Sequence, residues 1–112
     1  MGISTHILDT TRGRPATGVD VKLEREVRGA WISAGGGSTD ADGRVKALLS
    51  ADQKPSAGIY RLSFDVGPYF EGIQTESFYP SVHIVFRIMA PDQHYHVPLL
   101  LNPYGYSTYR GS

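Results

Sequence analysis

HYHVPLLLNPYGYSTYRGS, His94 to Ser112, is the stretch whose reading decides the fold. In a β-strand successive side chains point to opposite faces. His94, His96, Pro98 and Leu100 therefore share one face, and Tyr95, Val97, Leu99 and Leu101 share the other. A Pro-Tyr-Gly turn interrupts the run at Pro103, after which Gly105, Ser107 and Tyr109 alternate with Tyr104, Tyr106 and Thr108. The pattern predicts a hairpin with one face packed in a core. Its second face carries His96, Ser107 and Tyr109 among apolar neighbours, a mixture that calls for a partner surface or a ligand.

Working outward from that hairpin, the same alternation recurs along the chain. Ile3 to Leu8 reads as a first strand, with Ile3, Thr5 and Ile7 opposite Ser4, His6 and Leu8. Asp9 to Pro15 reads as a loop rich in turn formers and carrying two arginines. Val19, Val21 and Leu23 point inward from a second strand whose Asp20, Lys22 and Glu24 point outward. Ala30 to Ser33 reads as a third strand before Gly35-Gly-Gly37, and the Thr39 to Gly43 turn delivers Arg44-Val45-Lys46 into a short fourth. Ile59 to Val66 places Tyr60, Leu62, Phe64 and Val66 in a core. Pro68 suits the first turn of one short helix through Ile73. Val82, Ile84, Phe86 and Ile88 point inward from the strand before the closing hairpin. Eight short strands separated by turn signals predict an all-β fold, a two-sheet antiparallel β-sandwich with one short helix.

Composition narrows the functional classes. The 112 residues suffice for one domain with a single core. Lys plus Arg and Asp plus Glu are 11 each, so no basic stripe is available for phosphate backbones and nucleic acid is not an expected partner. Cysteine is absent, which removes disulfide and thiol chemistry. No apolar run approaches the roughly 20 residues that span a bilayer. The opening Met-Gly-Ile-Ser-Thr-His lacks the basic and apolar segments of a secretory signal, so a cytoplasmic location is expected.

Several motifs suggest chemistry. Gly35-Gly-Gly37 is followed by neither Lys-Ser/Thr nor a helix, so a flexible hairpin loop is the better reading than a phosphate cradle. Asp40-Ala-Asp42-Gly43 lacks the spacing of a calcium loop, whose glycine stands sixth. His94-x-His96, with His6 as a third imidazole, has the spacing of a possible zinc site but no evident carboxylate partner. His83 reads as a solvated strand position. His6 and His96 are candidate general bases near neutral pH, and Arg44 is a candidate donor to an anionic or carbonyl-rich substrate. On the residues alone the better reading is that Arg44 is a solvated hairpin residue and each histidine a satisfied polar group, ahead of catalysis. No Ser-His-Asp or Cys-His spacing points to a covalent nucleophile.

The segments STHILDTTRGRPATGV, TDADGRV, FYPSVHIVF and HYHVPLLLNPYGYSTYRGS, in that order and across nearly the whole chain, resemble the 5-hydroxyisourate hydrolases. These form the purine-catabolic branch of the transthyretin-related proteins. Asn102 departs from the serine usual before Pro-Tyr, within the turn. The resemblance implies a transthyretin-like fold with catalytic residues at His6, Arg44 and His96. It implies substrate contacts from these three together with Tyr109 and Ser112, and a closing motif of Tyr109, Arg110, Gly111 and Ser112. It further implies a homotetramer, a dimer of dimers with active sites in the channel between dimers, and no cofactor or metal. The implied reaction is hydrolytic opening of the N1–C6 bond of 5-hydroxyisourate to 2-oxo-4-hydroxy-4-carboxy-5-ureidoimidazoline, in urate degradation. Transthyretin hormone carriers have other residue types at the histidines and the arginine, so a non-catalytic carrier of small aromatic ligands is the alternative. A metal-binding sandwich using His6, His94 and His96 is a further one.

Overall fold

A computed structural model describes residues 2–50 and 52–112. Two sheets pack face to face. The first joins β1 (Gly2–Asp9), β2 (Arg14–Pro15), β5 (Arg44–Val45), β8 (His94–Asn102) and β9 (Gly105–Thr108). The second runs in the order β4 (Ala30–Ser38), β3 (Asp20–Val27), β6 (Gly58–Asp65), β7 (Val82–Ile88). The sandwich is thus as expected. Nine strands are seen among the described residues against the eight predicted, the extra one being the two-residue pairing of Arg14–Pro15 with β1 inside the expected loop. One pairing runs parallel: β1 lies alongside β8 with Ser4 opposite His96 and His6 opposite Pro98. All other pairings are antiparallel.

Period-two alternation puts Leu23, Leu62, Phe64, Ile7, Leu99 and Leu101 between the sheets, each almost inaccessible to water. Burying a side chain of this size stabilises the fold by about 1.5–3 kcal/mol. Thr39 serves the same layer with its polar group: its hydroxyl donates to the Ala16 carbonyl at 2.7 Å and accepts the Val19 N–H at 2.9 Å. The helix α1 (Val66–Gly72) begins earlier than expected. Val66 leaves the strand to become its first residue and buries its face with Phe70, one turn on. Phe86 is half-buried, stacked on Tyr60 at 5.9 Å between ring centroids, and is not in the fully enclosed core.

The glycine triplet overturns the expected flexible loop. Gly35, Gly36 and Gly37 lie inside β4, paired with Leu23, Lys22 and Val21. A side chain at Gly35 would collide with the Leu48 carbonyl, and one at Gly36 would come within 2.5 Å of the Val21 carbonyl. Glycine here permits close backbone approach in a strand that bulges opposite Leu23 and Glu24. Among the described residues no helix is long and apolar enough to cross a membrane.

Candidate active site

The outer face of the first sheet collects the residues with chemistry. Arg44 reaches it through the turn at Thr39 to Gly43. The Asp40 carboxylate accepts the N–H groups of Asp42 at 2.9 Å and Arg44 at 3.0 Å. The Arg44 N–H is the main reason its carboxyl is held below the usual carboxylate range. Gly43, at φ +73°, closes the turn and donates its N–H to the Asp40 carbonyl. Its own carbonyl accepts the Ile7 N–H at 2.8 Å, which docks the turn on β1 and sets Arg44 opposite His6.

The parallel β1–β8 register sets Ser4 between the two imidazoles of the closing strand. Its hydroxyl oxygen lies 2.8 Å from His94 Nε2 and 2.8 Å from His96 Nδ1. Ser4 is buried, His96 half-buried and His94 exposed. Among the described residues His96 Nε2 has no hydrogen-bond partner within the protein. Burial pushes the His96 pKa below its ordinary value, and the charges of Arg44, His6 and His94 push it further down. His96 is accordingly a neutral imidazole near pH 7, able to accept a proton.

The closing tetrapeptide completes the arrangement. The β8–β9 ladder lapses at Tyr109 and Arg110 and resumes at Gly111, which bridges to His96 and donates its N–H to the His96 carbonyl at 2.8 Å. A Cβ at Gly111 would stand 2.6 Å from His96 Cδ2, so only glycine allows the tail to lie against that ring. Arg110 pins the tail with its guanidinium 4.4 Å over the Tyr95 ring and a 3.0 Å hydrogen bond to Gln93 Oε1. Together these elements border an open cavity of about 340 Å³. Arg44, Lys46, His94, His96 and Ser112 line it, with Ser4 and Thr5 at its base.

Of the residues expected from the sequence, Arg44, His96 and Ser112 meet at this cavity. His6 stands beside it, on the same face as Ser4 and paired with Arg44, without lining it. Tyr109 departs from expectation. Within one chain it borders a separate hollow with Ile84, Phe86 and Tyr95 and is 58% exposed. The lapse of the ladder at Tyr109 and Arg110 releases it from the strand that would have held it over His96. Arg110 anchors the tail and lies outside the histidine cavity.

Ser4, Lys46 and the contact of His94 with Ser4 were not singled out from the sequence. The only signal for Ser4 was its place on the His6 face of β1, and its partners lie some ninety residues away. No three His, Cys, Asp or Glu side chains among the described residues are grouped as metal ligands. His94 and His96 converge on a serine hydroxyl instead. A larger hollow of about 440 Å³ beside α1 involves Arg12, Arg14 and Tyr69 but no histidine.

Residues 3–111 match the model of the HIUase/Transthyretin family. The chain belongs to the HIUase/Transthyretin family. It is 47% identical over 110 residues to a 5-hydroxyisourate hydrolase of Salmonella typhimurium, covering 98% of this chain and 80% of that one. The structure of Klebsiella pneumoniae 5-hydroxyisourate hydrolase superposes with a TM-score of 0.84 at 40% identity, covering all of both chains. Sea bream transthyretin in complex with thyroxine gives 0.89 at 32% identity, covering 99% of this chain and 95% of that one. Family membership fixes the sandwich, while the two branches differ in what they do at such a site.

Proposed function

We propose that this chain is a 5-hydroxyisourate hydrolase that opens the N1–C6 bond of its substrate without a metal ion, giving 2-oxo-4-hydroxy-4-carboxy-5-ureidoimidazoline in urate degradation. The observation that carries this reading is the half-buried His96. It is held neutral, its Nε2 is free, and it lines a cavity with the guanidinium of Arg44. A substrate carrier needs no such base.

In this reading His96 Nε2 takes a proton from a water molecule as its oxygen adds to C6. Positioned proton transfer of this kind contributes about 10²–10⁴ in rate. The C6 oxygen gains negative charge in the tetrahedral adduct, and Arg44 stabilises that charge, with Lys46 adding a second positive field. Collapse breaks N1–C6 and N1 receives the proton held by His96, leaving a carboxylic acid that ionises. His6, opposite Arg44, orients the guanidinium side of the site and shares in proton transfer. Ser112 bounds the cavity at the tail.

A homotetramer, as a dimer of dimers, fits the same face. Leu8 and Leu100, paired in register on the outside of the first sheet and only half-buried in one chain, are apolar residues that a second dimer would cover. β7 and β9 are edge strands with exposed Val85 and Tyr106, the features expected of an edge that pairs with a second copy. Light scattering at a mass four times that of the chain supports this assembly, and a monomer excludes it.

The carrier alternative shares this fold, as the superposition on a transthyretin bound to thyroxine shows, and it differs from the hydrolase reading in predicting binding without turnover. Both readings are tested by following ultraviolet decay of 5-hydroxyisourate made in situ from urate with urate oxidase, in chelator. Acceleration over the spontaneous decay, lost in His96→Asn and Arg44→Ala, is the result expected. A folded protein that leaves the decay unchanged makes the carrier the better account, and activity abolished by chelator points to a metal.

A further inference from the structure

Building on the hydrolase reading, we infer that Ser4 and His94 are positioning residues that hold His96 in its Nδ1–H tautomer, with Nε2 bare toward the cavity. The Ser4 hydroxyl has one hydrogen and faces two imidazole nitrogens, each at 2.8 Å. It is 8% exposed, so the serine end of both bonds is shielded from water. With both rings neutral, two complete arrangements exist. In one, His96 Nδ1–H donates to Ser4 Oγ and the Ser4 hydroxyl donates to His94 Nε2. In the other, every hydrogen is reversed, and His96 carries its proton on Nε2.

Only the first arrangement leaves His96 able to accept a proton from water in the cavity. The surrounding charge selects it. Arg44 and Lys46 line the same cavity, so a bare Nε2 presents its lone pair to two cations, whereas an Nε2–H would present a positive edge to them. The tautomer of an imidazole follows the bond its other nitrogen makes. Ser4 can accept from His96 because His94 takes the hydroxyl proton away from it. His94 therefore acts on the reaction at one remove, through Ser4, from the exposed end of the strand.

The test reads tautomer and turnover separately. Ring ¹⁵N spectra of histidine-labelled protein are expected to show His96 protonated at Nδ1 in the wild type and redistributed toward Nε2–H in Ser4→Ala. That measurement needs no substrate, so it decides the inference even if the wild type proves to have no hydrolase activity. With 5-hydroxyisourate, Ser4→Ala is expected to lower kcat about 10- to 100-fold with KM little changed. Ser4→Thr, which keeps the hydroxyl, restores it. His94→Leu should lose a similar factor and His94→Gln, whose amide oxygen can accept the serine proton, should lose less. Because His94 acts only through Ser4, the Ser4→Ala/His94→Leu double variant should be no slower than Ser4→Ala. A His96 tautomer unchanged in Ser4→Ala, or losses that multiply in the double variant, would overturn the inference.

Discussion

Gly111→Ala is the sharpest single perturbation of this site, because it adds one methyl group and its consequence is set by geometry. The added Cβ would lie 2.6 Å from His96 Cδ2 and 3.2 Å from Pro98 Cγ. Carbon atoms pack at about 3.5–4.0 Å, so the imidazole or the tail must give way by about 1 Å. The His96 ring is held at Nδ1 by Ser4 and its backbone by the Gly111 N–H. A shift of the ring breaks the first bond, and a shift of the tail breaks the second and carries Ser112 out of the cavity. A 1 Å misplacement of a reacting group costs about 100-fold in rate, or about 2.7 kcal/mol of transition-state stabilisation. The fold should survive, since Gly111 is half-buried in the tail outside the core and relieving such an overlap costs about 1–3 kcal/mol, less than the stability of a typical domain. The assay is the initial rate of 5-hydroxyisourate decay at saturating and limiting substrate, alongside a thermal melt. Deleting Tyr109 to Ser112 separates the two routes: a loss equal to that of the deletion means the tail has moved, and a smaller one means the ring has. Gly111→Ala turnover within twofold of wild type, in a protein of unchanged melting temperature, would refute this account of how the tetrapeptide supports His96.

Four further outcomes rest on His96, Arg44, Thr39 and Tyr69. The rate should fall as pH drops through the lowered pKa of His96, below the ordinary value of about 6.5, because only the neutral ring accepts a proton. Arg44→Gln removes a charge that disfavours the imidazolium, so the acid limb of the kcat/KM profile should move upward in pH while its plateau drops about 10²–10³-fold. An unmoved limb would contradict the assignment of His96. Thr39→Val deletes the hydroxyl that joins Ala16 to Val19 and leaves the Val19 N–H without its partner. Denaturant unfolding should show a loss of about 1–3 kcal/mol, and a loss under 0.5 kcal/mol would mean that water or another acceptor has replaced the bond. Burial and a 2.7 Å bond to the Asp9 carboxylate raise the Tyr69 pKa from 10 to about 12. Its contribution to stability is therefore complete below pH 10 and lost as pH rises toward 12. Ultraviolet titration should show a late-ionising tyrosine that is absent in Tyr69→Phe, and no difference between the two curves would contradict that shift.

The sandwich was legible because its signal is local. Alternation within β6 and β8 declares which side chains are buried, and those side chains are the core. The glycine triplet was misread for the same reason. By local propensity it reads as a loop; its pairing with β3 makes it strand, and the Leu48 backbone pressed against Gly35 is what requires glycine there. The parallel neighbour of β1 is likewise a long-range fact, since alternation fixes faces and leaves pairing open. His96 and Arg44 could be named as candidates from residue type and from resemblance. Ser4 could not, because its meaning exists only once the β1–β8 register sets it between two histidines. Within one chain Tyr109 lies off the face that alternation predicts for it, because the strand ends at Thr108.

Fold similarity ranks the two known branches in the opposite order to sequence identity. The transthyretin superposes at 0.89 with 32% identity and the hydrolase at 0.84 with 40%. The division of labour between the two faces of the first sheet explains how both can hold. The backbone path is fixed by inward positions such as Ile7, Leu99 and Leu101, which share one requirement, an apolar side chain of the right volume. His96, Ser4 and His6 stand on outward positions of the same strands, and Arg44 in the short neighbour β5. Core packing places no demand on them beyond fitting a strand. Exchanging those few residues alters base, charge and cavity while leaving the determinants of the superposition untouched. A TM-score therefore carries no vote between carrier and enzyme, and the choice rests on whether a neutral imidazole and a guanidinium face one cavity, as they do here.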